Sequence, residues 1–169
     1  MRMRQADRLQ PSLLDRLTDH APDATREGRE QRAGSARAQR TSVMRDLGWL
    51  LNAQGIASAQ DIARYPCVAD SVLNFGFADL AGKSASNLDV ARIERMMMDA
   101  IGAFEPRIVP GTLRVRAIRS DDAAIQHNAL AFMIEGDLHA HPVPERLYLR
   151  TELDLEAGKA NVYEGTLQR

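Results

Sequence analysis

The hydrophobic period of this chain changes at Pro106, and that change constrains the fold more than any other feature. Before it, apolar residues recur every three or four positions, as on one face of a helix. Ile93, Met96, Met97, Ala100, Ile101 and Phe104 form such a stripe. After it the period is two. Leu113, Val115 and Ala117 alternate with Arg114, Arg116 and Ile118. Leu130, Phe132, Ile134 and Leu138 alternate with Ala131, Met133, Glu135 and Asp137. Leu147, Leu149, Thr151 and Leu153 alternate with Tyr148, Arg150, Glu152 and Asp154. A period of two with one wet face describes an antiparallel sheet packed on one side. A fourth, short strand is expected at Asn161–Leu167, after the turn Glu156–Lys159. Helices first and strands second place the chain in the α+β class, with N-terminal helices packed on a small C-terminal antiparallel sheet.

The spacing predicts a first domain helix from about Thr41 to Ala53, capped by Thr41 or Ser42, with Val43, Leu47, Leu50 and Leu51 inward and Gly55 as its stop. Two short helices follow, one starting at Ser58–Asp61 and one from Pro66 to about Asn74, ended by Gly76. A loop runs from Phe77 to Asn87, and the long helix spans about Leu88 to Phe104.

Residues 1–40 read as an N-terminal extension to a single domain at 41–169. They carry nine Arg against six Asp or Glu and no aromatic residue. From His20 to Arg40 there is too little to bury to offset the entropy of ordering, so a flexible linker is expected. One island interrupts it, a short helix at about 12–19 with Ser12 as cap and Asp15 in its first turn. Leu13, Leu14 and Leu17 share a face. Two turns of helix do not persist alone, so this one docks on its own domain or on a partner.

Charge excludes several functions. The chain has 22 basic and 23 acidic residues, too balanced to draw in nucleic acid or an anionic membrane as a whole. The longest apolar run is Ala129–Ile134, far short of the ~20 residues that span a bilayer. The charged first 20 residues lack the apolar core of a secretory signal, and the single Cys67 allows no internal disulfide, so a cytoplasmic home is expected.

Candidate chemistry is sparse. Gly82-Lys83-Ser84 resembles the end of a phosphate-binding loop, but Phe77 stands where the first glycine belongs. His139 and His141 lie two apart without the further ligands zinc needs. Cys67 reads as a small packed residue. Met96 and Met97 belong to the core, whereas Met98 points elsewhere. No metal or cofactor is expected. The most unusual stretch is Phe104-Glu105-Pro106-Arg107-Ile108. Pro106 disfavours a helical Glu105, so the long helix ends there. Glu105 and Arg107, two apart on extended chain, can project to one side as a preorganised carboxylate–guanidinium pair. The pair either pins the junction or recognises a polar partner.

With those residues in view, the chain resembles the TssE family, the type VI secretion baseplate subunit related to a contractile-phage baseplate wedge protein. The resemblance rests on five blocks in order: Pro11–Leu17 (PSLLDRL), Ser42–Asn52 (SVMRDLGWLLN), Ser71–Gly82 (SVLNFGFADLAG), Phe104–Ile108 (FEPRI) and Pro144–Gly158 (PERLYLRTELDLEAG). It implies assembly without substrate turnover: a wedge with TssF- and TssG-like proteins, a TssK-like adaptor nearby, and six wedges around a spike hub. The folded domain is then similar to the interlocking domain of the sheath proteins TssB and TssC, and templates the first sheath ring. The implied location is cytoplasmic, in a baseplate docked at the inner membrane. Glu105, Pro106 and Arg107 are implied wedge contacts. Leu13, Leu14, Arg16 and Leu17 are further candidate contacts, as are Arg150, Glu152 and Asp154 on a sheet region, Arg146–Leu155, expected to meet sheath strands at an open edge. The family also carries a lysozyme-like label. A glycosidase would need two carboxylates about 5–9.5 Å apart across a cleft, with Glu105 as one and Glu135, Asp137, Glu152 or Asp154 as the other. An unrelated cytosolic adaptor is the third reading.

Overall fold

A computed structural model describes the chain over residues 12–18, 36–56, 64–69, 71–82, 88–118, 129–140 and 143–165. The sheet is a four-stranded antiparallel meander in the order β1 (Arg114–Ile118), β2 (Ala129–Leu138), β3 (Glu145–Asp154), β4 (Lys159–Glu164). Three of these strands fall within two residues of the bounds set by the alternation, and β4 is shifted about two residues towards the N-terminus. The register puts Phe132, Ile134 and Leu138 beside Thr151, Leu149 and Glu145. The helical elements are α1 (Leu13–Leu17), α2 (Ala36–Asn52), α3 (Pro66–Ala69), a 3-10 turn at Val72–Asn74, and α4 (Val90–Phe104). Helices packed on a small antiparallel sheet are the expected α+β arrangement.

The core lies between one sheet face and the two long helices. Val43, Leu47, Leu50 and Leu51 of α2 and Ile93, Met97 and Ile101 of α4 meet Val115, Phe132, Ile134, Leu147, Leu149 and Leu153. Met96 and Phe104 are half-buried against this core, and so, contrary to expectation, is Met98. Asp89 caps α4 by accepting from the Arg92 amide at 3.1 Å.

Several local expectations change. Helix α2 begins at Ala36, so residues 36–40 are helical where a linker was expected. Long-range tethers offset the ordering cost: Gln39 Nε2 donates to the His139 carbonyl at 2.9 Å, and Arg40 pairs with Glu145 and donates to the Arg146 carbonyl at 3.0 Å. Thr41 and Ser42 are therefore inside the helix rather than capping it. The short helix after Pro66 breaks into α3 and the 3-10 turn, because Ser71 caps afresh by accepting from the Leu73 amide. Cys67 is exposed rather than packed. The helix expected at Ser58–Asp61, and Lys83 and Ser84, lie outside the described residues.

The loop after the 3-10 turn clips onto the end of α2. The Phe77 amide donates to the Ala53 carbonyl at 2.8 Å, and the Gly55 amide donates to the Phe77 carbonyl at 3.3 Å. Gly76 makes this approach possible. Its φ is +140°, and a Cβ there would lie 2.6 Å from the Ala53 carbonyl oxygen and collide with the Gly55 nitrogen.

The largest correction concerns the sheet edge. Strand β3, which carries Arg150, Glu152 and Asp154, is paired on both sides, with β2 and with β4. The turn at Glu156–Lys159 folds β4 back along Leu149–Asp154, so the expected open edge is an interior strand. The edges are β1 and β4. On β1 the Ala117 amide donates to Glu94 Oε1 of α4 at 2.6 Å. On β4, Asn52 grips Ala160 from α2: Nδ2 donates to its carbonyl at 2.7 Å, and its amide donates to Oδ1 at 3.0 Å.

Candidate functional site

The site is built where α4 ends. The Glu105 amide donates to the Ile101 carbonyl at 2.8 Å, closing the last turn, and Pro106 turns the chain away. The next residues bind the end of β2: the His139 amide donates to the Arg107 carbonyl at 2.8 Å, and the Val109 amide to the Asp137 carbonyl at 2.7 Å. The backbone on both sides of the junction is thus fixed before any side chain acts.

Glu105 and Arg107 do project together. Arg107 Nε donates to Glu105 Oε1 at 2.6 Å and Nη2 to Oε2 at 2.5 Å, a bidentate fork. The Arg107 amide adds a bond to Oε1 at 3.2 Å. The Glu105 side chain is only 3 % exposed. A buried carboxylate needs such a partner, because leaving it alone costs several kcal/mol. Pro106 is exposed between them.

Arg107 reaches further. Nη1 donates to Ser42 Oγ at 2.8 Å and Nη2 to Asp46 Oδ2 at 2.6 Å, both on α2. The other oxygen of Asp46 takes Arg45 Nε at 2.9 Å. Arg45 Nη2 also donates to Ser42 Oγ at 3.2 Å, and its Nη1 reaches Asp15 Oδ1 of α1 at 2.5 Å. Its guanidinium lies over the Trp49 ring, 5.1 Å from the centroid. Five charges of alternating sign therefore run from the buried junction to the N-terminal helix: Glu105, Arg107, Asp46, Arg45, Asp15.

The titration of these groups follows. Burial opposes charge on Arg107 most strongly, yet Glu105 and Asp46 outweigh it and raise its pKa. Arg45 is raised chiefly by Asp15. Burial acts most on Asp15, pushing its pKa up, but the hydrogen bonds from Arg45, Ser12 and Ser42 together bring its carboxyl down to about 2.

The remaining sequence candidates separate from this cluster. Leu13, Leu14 and Leu17 are 69 %, 41 % and 75 % exposed on α1, and Arg16 is exposed beside them. Arg150 pairs with Glu152 at 2.8 Å on the wet face of β3. Asp154 Oδ1 accepts from the Glu156 and Ala157 amides at 2.8 and 3.0 Å, so it shapes the β3–β4 turn. His139 is exposed, and among the described residues no group of His, Cys, Asp and Glu could hold a metal ion. Among the described residues no helix is long and apolar enough to cross a membrane.

Sequence reasoning missed Arg45 and Asp46, and took Ser42 only as a candidate helix cap. Positions three and four apart share a helix face, so their spacing put them together beside the apolar stripe of α2, but it did not separate them from an ordinary solvated flank.

All of this chain of charges except Asp15 sits in the region that family comparison singles out. The sequence model for the baseplate wedge protein gp25 family matches residues 37–143. The chain belongs to that family. The TssE subunits are among its members, so the resemblance read from the sequence holds. As a gp25-family wedge protein the chain is a structural component of a contractile-injection baseplate. The matched residues span α2, α4, the junction, β1 and β2, and leave out α1, β3 and β4. Searches of curated proteins and of solved structures gave no match.

Proposed function

We propose that this gp25-family protein is the TssE-type subunit of a type VI secretion baseplate, joining TssF- and TssG-like proteins in the wedge and templating the first ring of the TssB/TssC sheath by strand pairing along β4. In this reading it occurs in six copies around the spike hub, near a TssK-like adaptor, in the cytoplasm at the inner membrane. The N-terminal leucines and the junction carrying Glu105, Pro106 and Arg107 serve the wedge.

The observation that carries the sheath contact is the geometry of β4. Lys159, Asn161 and Tyr163 stand in register with Asp154, Glu152 and Arg150, and the Gly165 amide donates to the Tyr148 carbonyl. The Ala160 amide and carbonyl turn the other way, to Asn52. Backbone polar groups alternate sides along a strand, so those of Val162 and Glu164 also face outward. Beyond the reach of Asn52 they offer a short edge to an added strand.

Val162→Pro is the matching test. Proline deletes an outward N–H and leaves the β3 ladder bonds in place. The fold and wedge assembly should survive while sheath polymerisation stops. Sheath growth at the wild-type rate in this variant would refute the edge assignment.

The muramidase reading finds no support in the site. Both oxygens of Glu105 are bonded to Arg107, and its side chain is sealed from solvent. A general acid must reach its substrate.

A further inference from the structure

We propose that Arg45 is a positioning residue that holds α1 with its leucines facing outward, so that the N-terminal segment meets a wedge partner as a preformed helix. This rests on the reading above that the α1 leucines are a wedge contact, and it adds the device that presents them.

The helix is docked upside down. An amphipathic helix ordinarily buries its apolar stripe. Here Ser12 and Asp15 are the half-buried positions, and all three leucines face solvent. None of the five residues of α1 is buried. A helix this short does not hold its shape alone. Its internal supports are local: Ser12 Oγ accepts from the Asp15 amide at 3.2 Å and donates to Asp15 Oδ2 at 2.6 Å, and Thr18 Oγ1 donates to the Leu14 carbonyl at 2.9 Å. The main tie to the domain is the charge-assisted bond from Arg45 Nη1 to Asp15 Oδ1, with Arg45 Nη2 also 3.5 Å from Ser12 Oγ and Ser42 of α2 acting on the same carboxyl.

Arg45 is itself fixed from three sides. Asp46 accepts from its Nε, Ser42 accepts from Nη2, and Trp49 lies under the guanidinium. A lysine at this position has no planar fork with which to bridge Asp15, Asp46 and Ser42 together. Because Asp46 and Ser42 also hold Arg107, the perch of α1 is built on the same α2 turn as the Glu105–Arg107 junction.

The experiment compares the full-length wild-type chain with Arg45→Ala, Arg45→Lys and Asp15→Asn, each first checked for a cooperative thermal transition. The partner-free readout is amide exchange at Arg16 and Thr18, whose N–H groups close the α1 turns. The partner readout is recovery of the TssF- and TssG-like proteins from the host, identified by mass spectrometry. Arg45→Ala should speed exchange at both amides about tenfold or more and cut wedge recovery by a similar factor. Arg45→Lys should fall between, and Asp15→Asn, which also weakens the Ser12 bond inside α1, should speed exchange at least as much as Arg45→Ala while leaving α2 untouched. Unchanged exchange in Arg45→Ala would overturn the proposal, whatever Asp15→Asn does. So would faster exchange with undiminished wedge recovery. A Leu13→Ser/Leu17→Ser variant separates the layers. If it retains the wedge proteins, the leucine contact itself is wrong. If it loses them while Arg45→Ala does not, only the positioning role falls.

Discussion

Arg107 and Arg45 divide one carboxylate between them: Asp46 gives Oδ2 to the first and Oδ1 to the second, at 2.6 and 2.9 Å. Two guanidiniums converge there, and both also reach Ser42 Oγ. Asp46 is thus the negative charge that lets two positive ones, one on α2 and one from the junction, meet at a single turn of α2. Asp46→Ala should leave the arginines facing each other and cost about 1–2 kcal/mol, less than for a fully buried pair because these side chains are about a quarter to a third exposed. Urea unfolding checks this, and salt should recover part of the loss by screening the repulsion.

The junction pair acts first on the fold. Arg107→Ala strands Glu105 in a buried site without its cation, and the expected loss is about 3 kcal/mol. Arg107→Lys should recover only part of it, since an ammonium cannot take both oxygens of Glu105 and reach Asp46 in one plane. If either variant stops assembling, its stability must be measured beside the assembly. An Arg107→Ala protein as stable as wild type would contradict the buried fork.

The tether of α1 responds to acid. Asp15 is held at about 2 in the folded chain against an ordinary 3.8. A lowered carboxyl pKa stabilises the docked state fully above the ordinary value and loses that contribution as pH falls through the folded one. The α1 signals in an NMR titration should therefore be constant above pH 4 and shift towards the free segment between 3.8 and about 2. In Arg45→Ala the transition should move up towards the ordinary value.

The strands and the long helices were legible because burial writes a period into sequence: one sheet face and one stripe per helix must be apolar. The N-terminal turns of α2 were not, because they bury little and depend on Arg40 and Gln39 reaching the far ends of β2 and β3. Glu105 and Arg107 could be singled out around Pro106, but their partners on α2 could not. Ser42, Arg45 and Asp46 resemble the solvated flank of any helix until the junction, more than fifty residues away, is laid against them. The sheet edge was misread for a related reason: alternation reveals that β3 is a strand and is silent on how many neighbours it has.

Asn52 has one more consequence. Its side-chain amide meets Ala160 with the donor–acceptor pair that a neighbouring strand's backbone would present. It therefore works as an end stop. A strand laid along β4 cannot slide past Ala160 towards the β3–β4 turn, and its first available pairing is at Val162. Strands with repetitive apolar patterns are prone to slip by two residues, which keeps the faces right and the alignment wrong. A fixed stop removes that freedom, so the alignment of an added strand would be dictated by this protein's own helix α2 and not by the newcomer's sequence.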